Sequence, residues 1–155
     1  MGQFDRTICD CCVCPMQCVM QQLVGQTDVQ IITPVSNEFN ITILSVDNFI
    51  ADTSAGFYAI CNVTAVRSDT LGIDTTLKPV RLDVKGECSC CEDPATNEFI
   101  KLINQEVGIE FISFGSGISQ GTVLNVGEGI VISDDGGGGG SIAISTCQVT
   151  KIDSD

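Results

Sequence analysis

The sequence repeats itself, and the repeat restricts what the chain can fold into more than any other feature, because a duplicated unit has to satisfy the same packing twice. A first copy opens with Cys9-Asp10-Cys11-Cys12, has Pro15 three residues further on, and reaches Leu23-Val24-Gly25-Gln26. A second opens with Cys88-Ser89-Cys90-Cys91, has Pro94 at the same spacing, and reaches Leu102-Ile103-Asn104-Gln105. Leu44-Ser45-Val46 followed by Ile50 then answers Leu124-Asn125-Val126 followed by Ile130. The copies also close alike, on Cys61-Asn62-Val63-Thr64-Ala65-Val66-Arg67-Ser68-Asp69 and Cys147-Gln148-Val149-Thr150-Lys151-Ile152-Asp153-Ser154-Asp155. They differ chiefly at Gly136 to Gly140, where the first copy has only Ser54-Ala55-Gly56. That run reads as a hairpin tip rather than a phosphate loop, since Ser141-Ile142-Ala143-Ile144 continues as strand and not as helix.

Within each copy a short helix precedes a β-rich body. Pro15 suits a first helical turn, where its missing N–H is not needed, and Val19, Met20, Leu23 and Val24 then share a face before Gly25. Pro94 leads the corresponding segment, with Phe99, Ile100, Leu102 and Ile103 as its apolar residues and Asn104 near the stop. Runs rich in β-branched residues follow in the first copy at Val29–Thr33, Phe39–Val46, Phe49–Asp52, Phe57–Cys61 and Val63–Val66. Between the copies, Thr70 to Glu87 reads as a linker, within which Val80-Arg81-Leu82-Asp83-Val84-Lys85 alternates as an extra edge strand would.

Composition narrows the function. With 43% hydrophobic and 17% charged residues the chain is one that folds or assembles. A net charge of −13 repels phosphate backbones and anionic headgroups, so neither nucleic acid nor a membrane is expected as a partner. The chain contains no His, which removes the commonest general base. Asp47, Asp52, Asp134 and Asp135 read as solvated loop carboxylates rather than a catalytic pair, and no enzyme is expected. No basic start followed by an apolar run is seen from Met1 to Asp10, and no stretch approaches the roughly 20 apolar residues of a membrane span. The expectation is a protein made in the cytoplasm without a signal peptide.

The 10 cysteines admit three chemistries. Cys9, Cys11, Cys12, Cys14 and Cys18 crowd one arm, and Cys88, Cys90 and Cys91 form a second cluster. Crowded cysteines cannot all pair locally without strain, so intermolecular disulfides are the leading expectation for these eight residues, with no cofactor. The alternative is a zinc-binding adaptor for a protein partner, using Cys11, Cys14 and Cys18, whose spacings suit a tetrahedral thiolate site. Redox catalysis lacks the strand-then-helix setting that a CxxC nucleophile needs. Cys61 and Cys147 stand apart and are expected to be buried as small apolar residues.

Two resemblances refine these expectations. A helix followed by about five short strands, with Val46-Asp47-Asn48-Phe49 matching a strand motif of hydrophobic, Asp, any residue, aromatic, resembles the Sm-like family over roughly residues 19 to 66. That family's RNA-contacting residues are not matched: Ala51 stands where an Asn is expected, no Arg-Gly pair lies around Ile60-Cys61-Asn62, and the second copy has Gly127-Glu128-Gly129 for Asp47-Asn48-Phe49. The resemblance therefore implies edge-to-edge ring assembly without RNA binding. The string from Cys11 to Gly25 resembles small cysteine-rich proteins of Bacillus-type endospores, and spore appendage subunits known as Ena proteins share a cysteine-bearing arm joined to a β body. This implies a structural protein of the spore surface (coat, exosporium or appendage), made in the mother cell and later cross-linked to itself and to other spore-surface proteins. The fold expected is mainly β: two tandem small Sm-like β-barrel units, each preceded by a short helix and a Cys cluster. Its parts are a Cys-rich arm at 1–18, a first unit at 19–69, a linker with the second cluster at 70–93 and a second unit at 94–155.

Overall fold

A computed structural model describes residues 14–77, 80, 93–115, 117–134 and 140–154. Cys9, Cys11, Cys12, Cys88, Cys90, Cys91, the segment from Arg81 to Lys85 and Gly136 to Gly139 lie outside the described residues, as does the side chain of Cys14.

Helix α1 (Cys14–Gln21) and helix α2 (Asp93–Ile100) each carry proline as second residue, as the repeat predicts. Six short strands follow α1: β1 (Val29–Ile32), β2 (Asn37–Ile41), β3 (Ile43–Asp47), β4 (Ile50–Thr53), β5 (Gly56–Ala59) and, after a 3-10 turn at Ile60–Asn62, β6 (Ala65–Ser68). After α2 come β7 (Glu106–Phe111), β8 (Ile118–Gly127), β9 (Ile130–Asp134), β10 (Ser141–Ser145), a 3-10 turn at Thr146–Gln148 and β11 (Val149–Asp153).

The duplication extends to individual hydrogen bonds. Beyond each helix the N–H of Gly25 donates to Ile43 and that of Asn104 to Val123, both at 2.8 Å, from residues with positive φ. Gly25 has φ +91, where a Cβ is disfavoured, and Asn104 is of the type that best tolerates this region. Ile60 N–H donates to Phe49 and Thr146 N–H to Gly129, each at 3.0 Å. The Thr64 hydroxyl donates to the carbonyl of Ile32 and the Thr150 hydroxyl to that of Glu110, each at 3.1 Å. Even the β-bulges agree, between Ile43 and Ser45 in β3 and between Val123 and Asn125 in β8.

Neither half closes into a barrel, so the two closed units expected from the sequence are not formed. Eight antiparallel strands instead make one sheet in the order β11-β7-β8-β9-β10-β6-β1-β2, and β3-β4-β5 make a second. β2 passes into β3 through one residue, Thr42, just after Asn40 at φ +55. The unbroken β8 shows what this bent pair does: its first part pairs with β7 and its second with β9, as β2 pairs with β1 and β3 with β4. The run Phe39–Val46, expected as one strand, is thus divided, and Asn48 and Phe49 (φ +52 and +64) form the tight turn before β4 rather than extending a strand.

The sheet crosses from one half to the other at β10 and β6, and the cores cross with it. The first core joins Met16, Val19 and Met20 of α1 and Leu23 from the turn after it to Ile31, Ile43 and Val66, and takes Ile130, Ile132 and Ala143 from the second half. The second joins Phe99 and Leu102 to Ile109, Val123, Ile142 and Ile144, and takes Ile32 and Ala65 from the first half. Each full burial of a large apolar side chain contributes about 1.5–3 kcal/mol, so the exchange binds the halves together. Val24, Ile100 and Ile103, expected on the apolar helix faces, are instead exposed: Val24 and Ile103 lie past the ends of α1 and α2, and Ile100 is the last residue of α2.

Candidate functional site: the open edges of the sheet

With β2 and β3 taken as one bent strand, the strands follow one another without a gap from β11 to β5. Among the described residues β5 pairs as a strand only with β4, and β11 only with β7. Both therefore present a row of backbone donors and acceptors on their outer side, which is a template for another strand.

The β5 edge is apolar. Phe57 is 76% exposed on it, and Val35, from the turn between β1 and β2, is 80% exposed. A groove of about 360 Å³ lies here, bounded by Thr33, Pro34, Val35, Phe57, Tyr58 and Asn62 among others. The turn beneath it is held by Thr33, whose Oγ1 accepts from the N–H of Val35 (3.2 Å) and of Ser36 (3.0 Å). Tyr58 alternates inward onto the first core, and its hydroxyl donates to the Glu38 carboxylate of β2. Burial of the ring, then the hydrogen bond to Glu38 and the charge of Glu38, raise the phenol pKa well above its ordinary value.

The β11 edge is polar in comparison. Lys151 lies 3.9 Å from the Glu110 carboxylate, exposed enough for the pair to contribute little, and Ile152 packs half-buried on the second core. Near the far end of β11, Gln105, Glu106, Gln120 and Asp153 line a polar hollow of about 430 Å³. Of the carboxylates considered above, Asp47 is exposed and Asp52 and Asp134 are half-buried on separate strands, while Asp135 lies outside the described residues.

The structure alters the expectation for both isolated cysteines. Cys61 is exposed and a free thiol, because the 3-10 turn Ile60–Asn62 buries only Ile60 and leaves the next two residues outside. Cys147, at the equivalent place in the turn Thr146–Gln148, is half-buried and disulfide-bonded. Cys18 is half-buried on α1. Among the described residues no group of three or more potential metal ligands is found, and no helix is long and apolar enough to cross a membrane.

No protein-family model, curated protein or solved structure matches the chain. The exposed apolar edge strand was not legible as such in the sequence, although one signal was present: Phe57 occupies the repeat position that holds Ala143 in the second copy.

Proposed function

We propose that this chain is a self-assembling structural subunit, joined to its neighbours through sheet edges and sealed by disulfides. The observation that carries this reading is that, among the described residues, β5 and β11 each pair on one side only, with Phe57 on β5 and Val35 in the neighbouring β1–β2 turn standing in solvent. Cys61 supports the covalent part. It is an exposed thiol beside the apolar edge, whereas its counterpart in the second copy is oxidised. Each cross-link joins two thiols as a disulfide, releasing two protons and passing two electrons to dioxygen or, by exchange, to a small-molecule disulfide.

The halves are best understood as open versions of an Sm-like unit. In the second copy the strand sequence β11-β7-β8-β9-β10 places the last strand beside the first, and a 3-10 turn precedes the last strand in both copies. The cysteine string from Cys11 to Gly25 supports a place on a spore surface.

The test is a gel run with and without reductant on protein assembled in air, together with free-thiol counting. Trapped or laddered material that collapses to monomer on reduction is the expected result. A monomer in both lanes, with every thiol accounted for inside the chain, refutes covalent assembly.

A further inference from the structure

The joint inside the chain specifies the joint between chains. β10 of the second half pairs with β6 of the first, setting Ile144 opposite Ala65, Ala143 opposite Val66 and Ile142 opposite Arg67. Beyond the strand end, Ser145 N–H donates to the carbonyl of Thr64 at 2.9 Å. Alternate residues of β10 then serve different cores: Ile144 enters that of its own half, and Ala143 enters that of the other.

By the matched hydrogen bonds, β5 is the counterpart of β10 and β11 the counterpart of β6. Tyr58 corresponds to Ile144 and packs on its own core, as expected. Phe57 corresponds to Ala143, and among the described residues there is no second core beside it to enter, which is why it stands 76% exposed. At the other end Ile152 corresponds to Val66 and covers the second core only in part. The vacancy and the plug are on opposite ends of one molecule.

We infer that the occupant of the β5 edge is β11 of a second copy of this chain, in the register of the internal joint. Phe57 then faces Ile152 of the neighbour and enters its second core, Tyr58 faces Lys151, and the N–H of Ala59 donates to the carbonyl of Thr150. The lysine arrives next to the Tyr58–Glu38 pair, which supplies an acidic neighbour for it. The contact is head-to-tail, so each added chain leaves one β5 and one β11 edge open, and growth continues as a filament unless rotation closes a ring. This inference rests on the self-assembly reading and adds which edges meet and in what register.

Complementation tests it. Phe57→Asp retains a sound β11 edge and Ile152→Asp a sound β5 edge. Each variant alone is expected to need about tenfold or more protein to assemble than the unaltered chain. Mixed in equal amounts under reductant, they are expected to form a one-to-one dimer that grows no further, seen by sedimentation velocity. Because Ile152 is partly buried, Lys151→Glu serves as the second β11 variant, placing like charge beside Glu38 without touching a core; circular dichroism and thermal melts verify each fold. If the unaltered chain assembles but Ile152→Asp or Lys151→Glu alone stops at a dimer, the joint is β5 to β5 and the inference is overturned with self-assembly intact. Unimpeded assembly of Phe57→Asp overturns it likewise. If the unaltered chain never assembles, the self-assembly reading itself has failed.

Discussion

Replacing Phe99 with alanine should destabilise the first half of the molecule as much as the second, although Phe99 lies in the second. Its ring is fully buried in the second core, whose members include Ile109, Ile142 and Ile144 and, from the first half, Ile32 and Ala65. Truncating a buried phenylalanine to alanine costs about 3–5 kcal/mol. In a chain of 155 residues each kcal/mol lowers the melting temperature by about 2–4 °C, so the expected fall is about 6–20 °C. The sequence provides a reporter at the opposite end: it has no Trp and one Tyr, Tyr58, which packs on the first core. Tyrosine fluorescence therefore follows the first half, and far-ultraviolet circular dichroism follows the whole. With all samples in the same redox state, both signals are expected to shift together to the lower midpoint, because β10 and β6 are paired and each core contains residues of both halves. A circular dichroism transition that splits while the Tyr58 midpoint stays in place would show two independent units and refute the shared core.

Three further outcomes follow from particular residues. The phenol of Tyr58 holds its proton more tightly in the folded chain than the value of about 10 expected unfolded, so the stabilisation is complete below pH about 10 and is lost as pH rises beyond it. Tyr58→Phe should flatten that alkaline decline in urea midpoints, and an unchanged slope would contradict it. Gly140 has φ +97, and a Cβ there would lie 2.6 Å from Asp69 Oδ1 and 3.0 Å from the Asp69 nitrogen, at the seam between β10 and β6. Gly140→Ala is therefore expected to cost about 1–3 kcal/mol in a denaturation curve, and a neutral effect would show that the seam yields. A net charge of −13 opposes association, so light scattering should rise as salt goes from about 0.01 to 0.15 M and the screening length falls from about 30 to 8 Å; assembly dissolved by salt would point to charge pairs as the adhesive.

What the sequence disclosed and what it concealed divide along physical lines. Local signals were legible: Pro15 and Pro94 mark the helix starts, and the matched ends of the copies foretell hydrogen bonds found twice. The bend at Thr42 was hidden, because Phe39–Val46 is dominated by strand-forming residues and its one signal is Asn40, whose backbone is left-handed. Phe57–Cys61 likewise reads as strand, which would bury Cys61, whereas the 3-10 turn from Ile60 exposes it. The seam of β10 with β6 joins residues more than 70 positions apart, such as Ser141 and Ser68, and no local pattern encodes such a pairing. Its consequence, an edge left without a partner core, was written in the sequence only as Phe57 in the place of Ala143.

The central claim is that the chain associates with itself through its sheet edges before any disulfide seals the contact. Sedimentation velocity over a range of protein concentrations, in reductant and at physiological salt, tests it most directly. The account predicts species that grow with concentration into open-ended or ring assemblies; a monomer at every concentration, reduced and then oxidised, would contradict it.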